Sequence, residues 1–222
     1  KRRSELENSR ISQMQTVLQQ QMNPHFIFNS LTSINHFVLE NKPLESSRYL
    51  TKFSTLIRKI LDNSTTKKVP LSEEINALTL YLELELLRFK DKFSYSIKKT
   101  PDINDQSISI VPFLIQPYVD RSIKENILNK YGKGTVIIQF KIIDSKLTCS
   151  IIDNGINAEK LDSEIIKFQN KNAKNGTQIA EQRIEVYNKQ NRNKITVETE
   201  VLLNHNKDVT GNKTTIKYPI NK

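Results

Sequence analysis

The stretch QQMNPHFIFNSLTSINHFV, Gln20 to Val38, sets a proline and a histidine side by side inside an apolar helical pattern. Neither residue is needed to make a helix. Pro24 removes one backbone hydrogen bond and bends the axis, which can push the next side chain outward. His25 is then expected to stand clear of the packing formed by Phe26, Ile27 and Phe28. An imidazole with a pKa of about 6.5 is largely neutral near pH 7, so a ring held in this way can act as a nucleophile. Taken alone, the pair is explained more simply by a packed or capping histidine at a kink.

Upstream, Ile11, Met14, Leu18 and Met22 recur three or four apart, a narrow seam that widens at Phe26, Ile27, Leu31, Ile34 and Val38. Pro43 in ENKPLESS breaks this helix, and a second follows with Leu50, Phe53, Leu56, Ile57, Ile60 and Leu61 on one face. Two amphipathic helices joined by a short turn leave a wide stripe uncovered. Dimerisation into a four-helix bundle is the simplest way to bury it.

At VPLSEEI the character changes. Ser72 and Glu74 mark a helix start, with Leu71, Ile75, Leu78, Leu82, Leu86 and Phe89 as its stripe. Short alternating runs come next: FSYSI, SISIV, and TVIIQFKII and KLTCSII on either side of the turn DSK. A helical segment from about Pro112 to Lys130 precedes that hairpin. A polar loop, a helix through GTQIAEQRIEVYNKQ and two late strands complete the chain. The order predicts an α+β sandwich, with helices on one face of a mixed sheet. The expected domains are 1–66 for the hairpin and 67–222 for the sandwich.

Composition narrows the function. An apolar share of 36% beside 26% charged residues suits exposed helices next to a smaller core. The single cysteine, Cys149, alternates with Leu147 and Ile151 and reads as a core strand residue in a reducing compartment. No run approaches the roughly 20 apolar residues that span a bilayer, so the chain as given is expected to be soluble. The net charge of +10 is spread along the chain with no arginine-rich stripe, and no nucleic-acid partner is expected. Three scattered histidines and one cysteine have no metal-site spacing, and His36 and His205 read as ordinary surface or interface residues.

Five segments together carry a family resemblance. The opening stretch is similar to the phosphoacceptor helix of LytS/YehU-type sensor histidine kinases, N-P-H-F-[IL]-F-N. SEEINALTLYLELELLRFKDKF resembles their linker helix, and VPFLIQPYV, IIDNG and NGTQIAEQRIEVYNK resemble, in order, segments of their nucleotide domain. The resemblance implies the cytoplasmic core of a homodimeric kinase, followed by a Bergerat-type ATP-binding domain. His25 would take the γ-phosphoryl group of ATP and pass it to an aspartate in the receiver domain of a response regulator. It also implies attachment through segments before Lys1 to the cytoplasmic side of the inner membrane, which the basic run Lys1 to Arg3 would suit.

Within that pattern the family motif E-N-A-[IV]-K-H-G falls on Asp120 to Asn126. Asp120 would orient or deprotonate the imidazole, Lys124 would meet phosphate, Asp153 would select adenine, and Gly155 and the lid glycine Gly176 would shape the pocket. Arg121 stands where the family's asparagine holds Mg2+, and an arginine cannot ligate a cation. Asn157 replaces a second glycine. Using Asn126 as the metal ligand instead would move it five residues along the helix, about 140° around, and lose the fit of Ile123 and Lys124. Two outcomes stay open. Arg121 replaces the metal's charge in an unusual kinase, or the nucleotide domain is that of a pseudokinase serving a non-catalytic dimeric signalling module.

Overall fold

The structure is a computed structural model that describes residues 24–64, 66–90, 92–155, 164–206 and 208–220. The side chains of residues 24, 25, 64 and 164–176 lie outside the described set, as do the whole of the Ile11 to Met22 seam and Asn157. The chain divides into two compact units, Lys1–Lys67 and Lys68–Lys222.

The first unit pairs α1 (Pro24–Leu39) with α2 (Pro43–Ser64). Asn41 closes α1 in the left-handed region, at φ 55, and the Lys42 N–H donates to the Phe37 carbonyl at 2.9 Å. Asparagine is among the few residues that tolerate this backbone. Pro43 is the first residue of α2, where its missing N–H has no intrahelical partner to lose. Phe26, Phe37, Tyr49, Leu56 and Ile60 are buried, with the Phe26 and Phe53 rings 6.2 Å apart and those of Phe37 and Tyr49 5.9 Å apart. Three stripe residues stay outside: Leu31, Val38 and Leu50 are 50%, 58% and 48% exposed. His36 is a surface residue, its Nε2 3.0 Å from Glu40 Oε1.

The second unit opens with β1 (Val69–Pro70), which pairs antiparallel with β3 (Ser109–Ile110). Between them run α3 (Leu71–Arg88) and β2 (Phe93–Lys99). Ser72 does not cap α3. The Leu71 and Ser72 N–H groups donate instead to the carbonyls of Ile108 and Asp105, which the β1–β3 pairing brings alongside. The buried face of α3 is also turned from the expected stripe. Glu74, Ala77, Tyr81, Leu84 and Glu85 join Leu71, Leu78 and Leu82 inside, while Ile75, Leu86 and Phe89 are half-buried. Hydropathy alone places two glutamates outside; here they find polar partners within.

Next come α4 (Gln116–Arg121), a π-helical turn (Ser122–Ile127), β4 (Gly134–Ile143), β5 (Lys146–Asp153), α5 (Glu164–Gln190), β6 (Thr196–Leu203) and β7 (Val209–Pro219). The main sheet has the order β2-β4-β5-β7-β6, with β2 parallel to β4 and the other pairs antiparallel. This is the mixed sheet with helices that the alternating runs predict. Asp144 and Ser145 both have positive φ, 50 and 58, the two-residue turn whose twist suits a hairpin. Along β5 every second side chain points into the core, so Leu147, Cys149, Ile151 and Asp153 form one buried row. The expected polar loop before the last helix is helical from Glu164, and Gly176 falls inside α5. Residues 164–175 hold neither glycine nor proline, so nothing in that run interrupts a helix.

Candidate functional site

Asp153 ends the buried row of β5 as a carboxylate only 4% exposed. Such a group is tolerated inside only if its oxygens are supplied with donors. Its Oδ2 accepts from Ser122 Oγ at 2.7 Å and Asn126 Nδ2 at 2.9 Å. Its Oδ1 accepts from the Gly155 N–H at 2.9 Å and Asn212 Nδ2 at 3.0 Å. Asn212 is in register with Asp153 across the β5–β7 pair, on the same face. Four donors match the acceptor capacity of a carboxylate.

The π turn puts Ser122 and Asn126 there together. Its extra residue per turn shows in the bond from Leu128 N–H to the Ile123 carbonyl, five residues back, at 2.9 Å. Angular arithmetic at α-helical pitch therefore fails beyond Ser122. Glycine is needed on both sides of this junction. A Cβ on Gly155 would lie 2.4 Å from the carbonyl carbon of Asn126, and one on Gly211 would lie 1.9 Å from the Asp153 carbonyl oxygen. Asn154 fixes the turn further: its Oδ1 accepts from the Thr135 N–H at 2.8 Å, and Lys130 Nζ donates to its carbonyl at 2.9 Å.

The other candidates point elsewhere. Asp120 accepts a hydrogen bond from the buried Tyr81 hydroxyl on α3, and Lys124 Nζ lies 2.6 Å from Asp120 Oδ1. Arg121 Nε donates to Glu125 Oε2 at 2.9 Å. Arg121 also lines a cleft of about 650 Å³ together with Glu181, Glu185, Lys189 and Lys194. Ser122, Lys124, Asp153 and Gly155 are not among the residues lining that cleft. Among the described residues, no group of three or more His, Cys, Asp and Glu could hold a metal ion. A guanidinium has five donors and no acceptor, so the residues at the expected magnesium position do not fit the ion. His25 belongs to the first unit, and its side chain and Gly176's surroundings lie outside the described residues.

Two buried carboxyls were missed by sequence reasoning. Burial pushes Glu74 up to about 7, against the Phe113 N–H bond at 2.9 Å and the charge of Arg183. Burial likewise pushes Glu85 up to about 7, with Lys124 and Arg88 pulling it down and Asp120 raising it. The ordinary value is 4.5. Between these values the folded chain binds more protons than the unfolded chain, so the contribution is fully present below pH 4.5 and is lost as pH rises through about 7. Each group is worth roughly 3 kcal/mol over that window. Urea melts should give a higher midpoint at pH 5.5 than at pH 8 from these groups, and Glu74→Gln should flatten the difference. An unchanged profile in that variant would remove Glu74 as a cause.

The family profile described as Histidine kinase matches residues 13–93. Sensor protein LytS of Oceanobacillus iheyensis is 32% identical over 72% of this chain and 27% of the relative. Sensor protein LytS of Bacillus subtilis is 32% identical over 62% of this chain and 23% of the relative. The chain thus spans about a quarter of the length of these relatives. Among solved structures, the histidine kinase domain of a blue-light activated kinase from Erythrobacter litoralis aligns over 86% of this chain and 93% of its own, with 11% identity and a TM-score of 0.46. Among the described residues, no helix is long and apolar enough to cross a membrane.

Proposed function

Because the chain belongs to the LytS-type sensor histidine kinases, we propose that it is a signalling core whose phosphoacceptor, His25, works without magnesium-dependent transfer from its own nucleotide domain. Histidine kinases generally use ATP and Mg2+; this chain keeps their architecture and has altered the residues that handle both. The observation that carries the reading is the bond from the Arg121 guanidinium to Glu125, made by the residue that the resemblance aligns with the family's magnesium-binding asparagine. Lys124, the expected phosphate contact, is paired with Asp120 instead. Losing a cationic group that offsets phosphate charge is worth roughly 10³ to 10⁵ in rate. In this reading His25 exchanges phosphoryl groups with the receiver domain of a response regulator. The module acts as a homodimer, which the exposed Leu31, Val38 and Leu50 of the hairpin favour.

The test uses two phosphoryl donors. With phosphoramidate, a small donor that needs no nucleotide domain, label is expected on the chain and absent from His25→Ala. With labelled ATP and Mg2+, no label is expected above a level about a thousandfold below that of an ordinary kinase. Efficient labelling of His25 from ATP would overturn the reading and favour the active kinase. One feature supports that rival: the cleft on which Arg121 lies falls in the size range of ligand pockets.

A further inference from the structure

We propose that this chain occupies its own base-reading carboxylate: Ser122 and Asn126 give Asp153 the donors that an adenine amino group would supply, closing the site to adenine nucleotides. The inference rests on reading Asp153 as the adenine-selecting position, and it does not depend on what His25 does. Three observations carry it. First, both Asp153 oxygens are taken, Oδ2 by Ser122 and Asn126 and Oδ1 by Gly155 and Asn212. An incoming amino group finds no vacant acceptor on a carboxylate already holding four donors. Second, the Asn126 side chain ends in an amide –NH2, which makes the same N–H to carboxylate bond as the 6-amino group of adenine. Third, the space beside the turn is filled by backbone: the Asn126 carbonyl carbon sits 2.4 Å from where a Gly155 Cβ would be.

Both inward side chains are departures from the family pattern, serine for alanine and asparagine for glycine, four residues apart on one face of the turn. The alanine and glycine that the pattern expects carry no side-chain donor. The closure is therefore a property of these two substitutions, separate from Arg121, whose partner is Glu125.

The experiment titrates ADP into the full chain by calorimetry without magnesium, which removes the metal position from the comparison. Wild-type protein should show no binding up to millimolar ADP. Ser122→Ala combined with Asn126→Ala should bind ADP at least about tenfold more tightly, since each donor removed frees an acceptor of a buried charge. The gain should be absent for GDP, which has a carbonyl where adenine has its amino group. Arg121→Asn alone should give no gain without magnesium. Micromolar ADP binding by the wild type, an equal gain for ADP and GDP, or a folded double variant with no gain would each overturn the proposal. Should the double variant lose its fold, Ser122→Ala alone decides the matter: a measurable rise in ADP affinity supports the closure, and none overturns it. A phosphoramidate experiment in which His25 stays unlabelled leaves this result standing.

Discussion

Asp153→Ala should lower the stability of the chain by about 3 kcal/mol or more, because it leaves the buried donors of Ser122 and Asn212, and the part-buried donor of Asn126, without their acceptor. For a protein of this size that is a fall in Tm of roughly 6 to 12 °C, readable by scanning calorimetry. Asp153→Asn should recover part of the loss, since its carbonyl oxygen still accepts while its amide has to face other donors. The direction separates two roles for the residue. A carboxylate held open for a ligand is often a strained feature whose removal costs the fold little. One that ties a π turn, a hairpin end and the last strand together is a structural knot. A Tm unchanged in Asp153→Ala would show that the network contributes nothing to folding.

The second large effect is expected at Gly211. An added Cβ would lie 1.9 Å from the Asp153 carbonyl oxygen, 2.9 Å from its carbonyl carbon and 3.1 Å from the Asn154 Cα. All three are backbone atoms, so no rotamer change relieves the overlap and β5 must part from β7 at this end. Gly211→Ala should therefore destabilise by about 3 kcal/mol or more, the upper end of overpacking. Gly132→Ala is the control. Gly132 has φ +84 and no atom within 4 Å of a built Cβ, so only backbone strain of about 1 to 2 kcal/mol applies. Equal losses in the two variants would mean that strand separation at Gly211 is cheaper than the geometry indicates.

Much of the architecture was legible because it follows from periodicity. The two-residue alternation of TVIIQFKII and KLTCSII leads to β4 and β5, and the turn residues between them adopt the positive φ that such a hairpin needs. The switch of character near Val69 coincides with the start of the first strand of the second unit. What was not legible depends on contacts between distant segments. Glu74 and Glu85 look like surface residues until Phe113 and Lys124 are brought to them. Ser122 and Asn126 carry a signal, two polar residues at small-residue positions four apart, but their shared acceptor, Asp153, is distant in sequence. No propensity argument foresees the five-residue bond from Leu128 to Ile123, which departs from the α-helical pattern. The Asn212 partner lies 59 residues from Asp153 and emerges only from the strand register.

The rim of the main sheet has a consequence for assembly. β6 is an outermost strand, and it presents Glu198 and Glu200 in ion pairs with Lys217 and Lys213 of β7. β2, at the opposite rim, ends in the exposed Lys98 and Lys99. Charged residues along a terminal strand discourage a neighbouring molecule from docking its own backbone there, the first step towards fibrous aggregates. Crowded copies of the chain are thereby kept from polymerising through their sheets.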